Sequence, residues 1–224
     1  KLYPHINFNY HSHRNVPVKC LKKSLNFAIN FNDIVRLGNE TKSKINYLET
    51  YKNYFDYSKF PIKNSFLDIW LTSKSKFLIS TGTGLDEVGA IFKIPTLYFG
   101  LTDLVQVPQY RYCLIQPSYL FWKKNNKMLT LSERFEVELG LNEKLKKKIG
   151  IRHCEESYLS SCMEFIDLIY KSTVRDDKIK LLQKKFWLIF KYFRKTSNIY
   201  INEKAFISTK FLLDYEKEIL EFKI

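Results

Sequence analysis

Residues 76–100 read KFLISTGTGLDEVGAIFKIPTLYFG, and this stretch indicates the fold class of the chain. Phe77–Ile79 is a short apolar run typical of a buried strand, and it stops at the sequence STGTG. From Leu85 onward the apolar residues recur at helical spacing, and two acids stand in the first turn. Pro95 ends that helix, and residues 96–99 resume a strand pattern. The stretch therefore predicts a strand, a Gly/Ser/Thr turn, a helix and a second strand.

The turn between the first strand and the helix has the composition of a phosphate-binding loop. Two glycines let the backbone approach a ligand, hydroxyls add hydrogen-bond donors, and amides at a helix start are free to bind an anion. No Gly-Lys-Ser/Thr follows, and the spacing differs from the GxGxxG dinucleotide motif. Ordinary helix capping explains the same residues equally well. The candidates for anion binding are Ser80, Thr81, Gly82, Thr83 and Gly84.

Composition bounds the class of protein and its partners. The chain has 224 residues and a net charge of +14, enough for one domain or for one domain with an appendage. Excess lysine is compatible with nucleic acid, with an anionic membrane surface, or with a solvated protein face. Four scattered cysteines without CxxC pairs favour reduced thiols in a cytoplasmic protein and indicate no metal site.

The termini and hydropathy give two further expectations. The chain begins at Lys1, which favours a piece of a longer protein. No apolar run approaches the roughly 18 residues that a membrane span needs, and no signal peptide is visible.

The first part of the chain predicts a strand, a helix and a second strand. Residues 5–10 alternate like a strand and end in a polar cluster that includes His13, Arg14 and Asn15. Pro17 opens a helix, and residues 33–37 form the second strand. Because ligands bind at the carboxyl ends of parallel strands, Arg14 is a site candidate.

The second strand carries another candidate cation. Arg36 lies near its end, just before Gly38. An ion pair with a neighbouring helix explains Arg36 as well as ligand binding does.

The remaining pattern predicts a Rossmann-like α/β domain. Residues 54–57 form a short strand, and a helix capped by Asn64 or Ser65 packs its apolar side chains inward. Those inward side chains are Phe66, Leu67, Ile69, Trp70 and Leu71. Strands alternate with helices up to about residue 115, and helices alone follow, including one or two short helices from residue 205. We therefore expect a Rossmann-like domain over residues 1–130 and a helical extension over 131–224 packed on it.

Several separated segments together resemble bacterial glycosyltransferases of surface-polysaccharide clusters. They are HSHRN (11–15), IVRLGN (34–39), the stretch FLDIWLTSKSKFLISTGTGLDEVGAIFKIPTLYF (66–99), KMLTLSE (127–133), and LQKKFW (182–187) with AFISTKFLLDYEKEIL (205–220). The resemblance covers nearly the whole chain and implies the C-terminal, donor-binding half of a GT-B fold. More distantly, a strand-end arginine followed by a Ser/Gly turn is similar to fucosyltransferases that use GDP-sugars.

The resemblance implies a metal-independent enzyme without a cofactor, whose donor substrate is a nucleotide sugar. Ser80 to Gly84 would contact the donor phosphates, and Arg14 or Arg36, with Asn15 and Gly38 beside them, would balance the charge of the leaving diphosphate. Asp86 would bind a ribose or sugar hydroxyl, although an acid in a first helical turn is equally expected from the helix dipole. His13 is the candidate base, although most lone histidines are structural.

The resemblance also implies the partners and the location of the reaction. The acceptor would be a glycan or a lipid-linked sugar at the cytoplasmic face of the inner membrane, with peripheral contact to anionic lipid. No specific nucleic acid is expected as a partner. Two alternatives remain open: a nucleic-acid-binding module using residues 144–148 and 119–122, and a sugar-nucleotide hydrolase or epimerase on the same fold.

Overall fold

The computed structural model describes residues 16–38, 45, 47–101, 104, 107–140, 143–154, 158–171, 175–195 and 198–223. In chain order the strands are β1 (Ile34–Arg36), β2 (Tyr54–Asp56), β3 (Leu78–Ser80), β4 (Thr96–Leu101), β5 (Cys113–Pro117), β6 (Leu120–Trp122), β7 (Ile151–His153) and β8 (Ala205–Ile207). The α-helices are α1 (Val18–Ala28), α2 (Ser65–Lys74), α3 (Leu85–Ile91), α4 (Leu131–Gly140), α5 (Glu143–Lys148), α6 (Leu159–Tyr170), α7 (Asp177–Phe193), α8 (Thr209–Asp214) and α9 (Glu216–Glu221).

The main sheet is four-stranded and wholly parallel, in the order β3-β4-β5-β8. Residues 96–99 are buried without alternation, as expected for a parallel strand covered on both faces. A second parallel ladder pairs β1 with β2, and Ile34 of β1 joins the same apolar cluster as Ile79 of β3. The predicted α/β class with a parallel sheet is confirmed, and the sheet is compatible with a Rossmann-like fold.

Helices cover both faces of the main sheet. On one face, α1 and α6 pack against Leu97 and Phe99 of β4 and Leu114 of β5. On the other face, α4, α7, α8 and α9 pack against Tyr98 and Ile115. Phe186, Trp187 and Phe190 of α7 belong to this second cluster, so this aromatic stripe is part of the core. The segment after residue 130 thus shares one hydrophobic core with the segment before it.

Several predicted helices begin where the sequence indicates. Pro17 precedes α1, and the side chains of Asn64 and Asp176 cap α2 and α7 by accepting from backbone amides. The amphipathic pattern of residues 155–170 predicts a further helix, and the corresponding helix α6 begins at Leu159. The expected first strand, residues 5–10, lies outside the described residues.

The expectation of helices alone after about residue 115 is wrong. Strand β6 pairs antiparallel with β7. The basic segment 123–127 forms a turn, across which the Trp122 amide donates to the Lys127 carbonyl at 2.9 Å. Strand β8 completes the main sheet at the edge of β5. Each of these strands has three residues, too short for an alternating pattern to be recognised in the sequence.

The expectation that the apolar residues of α2 pack inward is wrong for three of them. Phe66, Ile69 and Trp70 are 72%, 44% and 46% exposed, and they share one helix face. Helix α2 instead buries Thr72 and contacts α3. An apolar stripe in a sequence shows which face avoids water, but not whether the same domain covers that face.

Candidate functional site

The glycine turn lies at the carboxyl edge of the main sheet, between β3 and α3. Gly82 has φ +89°, a left-handed conformation, and a Cβ there would meet Leu101 Cδ2 at 3.2 Å. A glycine is thus required at position 82, because the backbone is left-handed there and because Leu101 of β4 lies so close. The Gly82 amide donates to Ser80 Oγ over 3.2 Å, which closes the turn at the end of the strand.

Gly84 occupies the open side of the same turn. Its φ is −62°, and no described atom lies within 4 Å of the position that a Cβ would occupy. Within the described residues, the amides of Gly84 and Leu85 have no hydrogen-bond acceptor. The turn therefore presents two backbone donors beside unoccupied space.

Asp86 folds back onto the turn. Its carboxylate accepts from the Thr83 amide at 2.7 Å and from the Thr83 hydroxyl at 3.2 Å. The side chain is buried, and this burial raises the pKa of Asp86, against the hydrogen bonds from Ser80 and Thr83 and the charge of Arg111, which lower it. Asp86 thus holds the turn in shape, and Thr83 contributes no free amide to a ligand.

The pairing of Thr83 with Asp86 has a signal in the sequence. A Ser or Thr followed three residues later by an acid at a helix start is the pattern of a capping box. This local pairing differs from both expectations for Asp86, an acid favoured by the helix dipole and a ligand of a sugar hydroxyl.

Arg36 forms an ion pair with a residue of the neighbouring strand β2. Its guanidinium lies 3.6 Å from the Asp56 carboxylate on β2, and both side chains are largely buried. Burial raises the pKa of Tyr54, and the nearby positive charge of Arg36 opposes this shift. Among the described residues, no hydrogen bond or ion pair joins Arg36 to the turn. Gly38, two residues later, has φ +132°.

The candidates His13, Arg14 and Asn15 lie outside the described residues. Val16, the next residue, is described, and it lies beside Gly100 near the carboxyl end of β4. A Cβ on Gly100 would meet Val16 Cγ2 at 2.7 Å and the Tyr158 hydroxyl at 2.9 Å. The described chain thus starts at the same edge of the sheet as the turn.

A buried ion pair ties this edge together. Arg134 is fully buried, and its Nε donates to Glu138 Oε1 at 2.9 Å while its guanidinium also donates to the carbonyls of Ser118 and Leu101. The second carboxylate oxygen of Glu138 accepts from the Leu104 amide. Arg134 therefore fixes the ends of β4 and β5, next to the strand end that contacts Gly82. Sequence reasoning missed this pair because an Arg and a Glu four apart on a helix usually form an exposed pair.

His153 is the one histidine in the described part of the chain, and sequence reasoning missed it as well. It lies on β7, and its Nδ1 is 3.5 Å from Ser118 Oγ, just beyond the end of β5. An imidazole side chain can act as a general base. His153 is therefore a second candidate base beside His13.

The two segments of the alternative nucleic-acid surface are partly inside the protein. Tyr119 and Leu120 are buried, and the Tyr119 ring packs on Phe211 and Tyr215. Lys146 is 4% exposed. Tyr119 and Lys146 are therefore not available for stacking on bases or for contacting phosphates.

The described residues contain no group of three or more His, Cys, Asp or Glu side chains placed to hold a metal ion. The four cysteines are free thiols, and burial raises the pKa of Cys162 to about 12. None of the helices in the described ranges is long and apolar enough to cross a membrane.

No protein-family model, curated protein or solved structure matches this chain. The assignment of a function therefore rests on the residues and their geometry, together with the resemblance of the sequence segments given above.

Proposed function

We propose that this chain binds the diphosphate of a nucleotide sugar at residues 80–84 and is the donor-binding part of a glycosyltransferase of GT-B type. The observation that carries the proposal is the pair of unpartnered amides, Gly84 and Leu85, beside open space at the carboxyl edge of a parallel sheet. Ligands of open α/β sheets bind at this edge. Helix α3 has only seven residues, so the local amides and hydroxyls, rather than a long helix dipole, supply the attraction.

The proposed chemistry needs two functions from the protein. The acceptor oxygen attacks the anomeric carbon of the donor sugar, the bond from that carbon to the phosphate oxygen breaks, and the nucleoside diphosphate leaves with the bonding electrons. The turn amides would stabilise the charge on the diphosphate, and an arginine would add to this effect. A base takes the acceptor proton, for which His13 and His153 are the candidates.

Arg36 is limited as a cation that balances the charge of the leaving diphosphate. Its guanidinium lies 3.6 Å from an Asp56 oxygen that Lys59 approaches to 3.2 Å, so Asp56 offsets part of the charge of Arg36. Arg14 is then the stronger candidate for balancing the leaving diphosphate. The reaction itself requires no cofactor and would use a glycan or lipid-linked acceptor at the cytoplasmic face of the membrane.

Donor binding is tested with a Gly84→Ala variant. The backbone at Gly84 accepts a Cβ without strain, so the fold should be retained, while the methyl group would project into the space proposed for the phosphate. Titration calorimetry with UDP-, GDP- and CMP-sugars should show binding of one class, weakened at least about tenfold by the substitution, which is roughly 1.4 kcal/mol. Lys184→Ala, an exposed position of α7, is the control.

Two results would overturn the donor site. One is no binding of any nucleotide sugar by the folded wild-type chain. The other is equal affinity of wild type and Gly84→Ala for the sugar that does bind. With an acceptor present, product analysis separates transfer from hydrolysis, since only hydrolysis releases the free sugar.

We also propose that the exposed face of α2 contacts an anionic membrane surface. Phe66, Ile69 and Trp70 form an apolar face, and Lys74 stands exposed at the end of the helix in a chain of net charge +14. Aromatic and aliphatic side chains next to lysine are typical of helices that lie in the membrane interface.

The membrane contact is tested by co-sedimentation with vesicles. Vesicles that contain phosphatidylglycerol should bind the wild-type chain more than neutral phosphatidylcholine vesicles do, and Phe66→Ser with Trp70→Ser should reduce binding several-fold. Leu181→Ser removes a comparably exposed apolar side chain from α7 and should leave binding unchanged. Equal loss in both variants would contradict a specific role of α2.

A further inference from the structure

A pocket of about 820 Å³ opens at the amino-terminal edge of the main sheet. It is lined by the residues that lead into β4, β5 and β8, among them Lys93, Tyr110, Arg111, Tyr112, Tyr200 and Lys204. The glycine turn follows β3 and therefore lies at the other edge of the sheet. The volume falls within the range of roughly 300–1,000 Å³ typical of small-molecule sites. The pocket is therefore separate from the proposed donor site.

Tyrosine rings form the walls of this pocket. Tyr110 and Tyr200 are 50% and 67% exposed, and the Tyr112 ring is partly exposed. Tyr110 is fixed in place, because the Arg111 guanidinium donates to its hydroxyl at 2.7 Å and lies 4.9 Å from its ring centre. Asn202 also donates to the Tyr110 carbonyl at 3.4 Å. A ring held in this way can stack on a ligand without losing further conformational freedom.

The cations of the pocket divide into one that is engaged and two that are available. Arg111 is buried and bonds to Tyr98, Tyr110 and Glu87, so its charge is used within the protein. Within the described residues, Lys93 and Lys204 form no ion pair, and both are exposed. Lys204 Nζ lies 5.2 Å from the centre of the Tyr112 ring, which leaves its hydrogen-bond donors free. The lining contains one carboxylate, that of Glu203.

Lys93 occupies a backbone position that favours glycine. Its φ is +56°, and the Ile94 amide donates to the Gly89 carbonyl at 2.8 Å, the hydrogen bond of a Schellman motif at the end of α3. A side chain with this φ costs stability relative to glycine. The left-handed backbone at Lys93 therefore lowers the stability of the fold, and it places a lysine side chain at the mouth of the pocket.

We propose that this pocket binds a phosphorylated compound that contains a planar base or a sugar ring. Tyr110 and Tyr200 stack on the ring, while Lys93 and Lys204 bind the phosphate. Nucleotides and sugar phosphates share this chemistry. The proposal is independent of the donor site, since it uses none of residues 80–86.

The ligand class is tested by calorimetry on the full chain with adenosine monophosphate, glucose 1-phosphate and inorganic phosphate. One of the two ring-bearing phosphates should bind at least about tenfold more tightly than inorganic phosphate. Tighter binding of the nucleotide identifies a nucleotide site, and tighter binding of the sugar phosphate identifies a sugar-phosphate site. No binding of either compound, or equal binding of inorganic phosphate, would overturn the proposal.

The location is tested with Lys93→Gly against Lys195→Gly. Lys195 has φ +51° and does not line the pocket, so both variants remove one lysine side chain from the same kind of backbone position. Neither should lower the melting temperature, because glycine suits both positions. Lys93→Gly should weaken binding about tenfold, and Lys195→Gly should leave it unchanged.

A further pair of variants separates the two proposed sites. Tyr200→Ala should weaken binding of the ring-bearing phosphate, whereas Gly84→Ala should not. Equal loss in the two lysine variants would show a general charge effect, and loss in Gly84→Ala alone would place the ligand at the turn. Either result would overturn this pocket as the site.

Discussion

The two glycines of the turn have different physical roles, and their alanine variants should separate them. Gly82→Ala should destabilise the protein by about 1–2 kcal/mol, because it places a Cβ at φ +89° and 3.2 Å from Leu101. Gly84→Ala should change stability by less than about 1 kcal/mol, and its sign should be stabilising, because φ is ordinary and the space is open. Denaturant unfolding of the two variants measures the difference. Equal destabilisation would contradict the assigned turn geometry.

Asp86 should make stability depend on pH in the direction opposite to a typical salt-bridged acid. Its folded pKa is raised above the ordinary value of 3.8, chiefly by burial, so the folded state holds the proton more tightly than the unfolded state. Asp86 therefore contributes stability below 3.8 that is lost as the pH rises through the folded pKa. The Asp86→Asn variant should not show this loss. The difference in unfolding free energy between the wild type and the variant should therefore change as the pH rises from 3.8 through the folded pKa of Asp86. A constant difference would show that the carboxyl titrates normally.

Residue roles could be predicted from sequence only where the partner is local. The glycine turn was recognisable because its residues are consecutive, and the Thr83–Asp86 pairing carries its own short pattern. Arg36 was placed correctly near the end of a strand, but its partner Asp56 comes from the next strand, at a distance in sequence that pattern reasoning cannot bridge. The same holds for Arg134, whose acceptors lie at the ends of β4 and β5.

At the scale of elements, two helix caps of the same chemistry should differ in their contribution to stability. Asn64 caps α2 at an exposed position, so Asn64→Ala should cost about 1 kcal/mol. Ser208 caps α8 but is fully buried and also donates to Gln116 Oε1 at 2.6 Å. Ser208→Ala should therefore cost about 2–3 kcal/mol, since it also removes a donor from a buried acceptor. Thermal unfolding compares the two variants, and a smaller loss for Ser208→Ala would contradict the buried network.

Long elements were predictable and short ones were not. Helices α1, α2, α4 and α7 extend over several turns, so a repeat of apolar residues was visible, and capping side chains marked the starts of α2 and α7. Strands β6, β7 and β8 have three residues each, and tertiary contacts rather than intrinsic preference decide their conformation. The exposed face of α2 is the opposite case, where the element was correct but its environment was not.

At the scale of the whole molecule, the net charge of +14 should make stability rise with salt. Excess like charge disfavours the compact state, and raising the ionic strength from about 0.05 to about 0.3 M screens much of that repulsion. The melting temperature should therefore increase over this range. A variant with Lys123, Lys124 and Lys127 changed to glutamate, all exposed in the turn after β6, should show a smaller increase. A melting temperature independent of salt in both proteins would contradict the expected repulsion.

The parallel sheet and its two helical layers followed from the order of strands and helices, but the position of the last strand did not. Strand order in a sheet is set by which edges remain open after the earlier strands have paired, and the sequence of a three-residue strand does not specify its edge. The division of the chain at residue 130 stays a prediction, and β8 from the later segment lies in the sheet of the earlier one.

The pairing of β5 with β8 joins Cys113 to Ala205, and it has a consequence for the order of folding. During synthesis the edge of β5 is complete long before its partner leaves the ribosome, so its amides and carbonyls stay unpaired in the interval. Closing such a distant contact is slow, and an open strand edge is where chains associate with one another. Chains that stop before β8 should therefore aggregate, even though they contain β3, β4, β5 and the glycine turn.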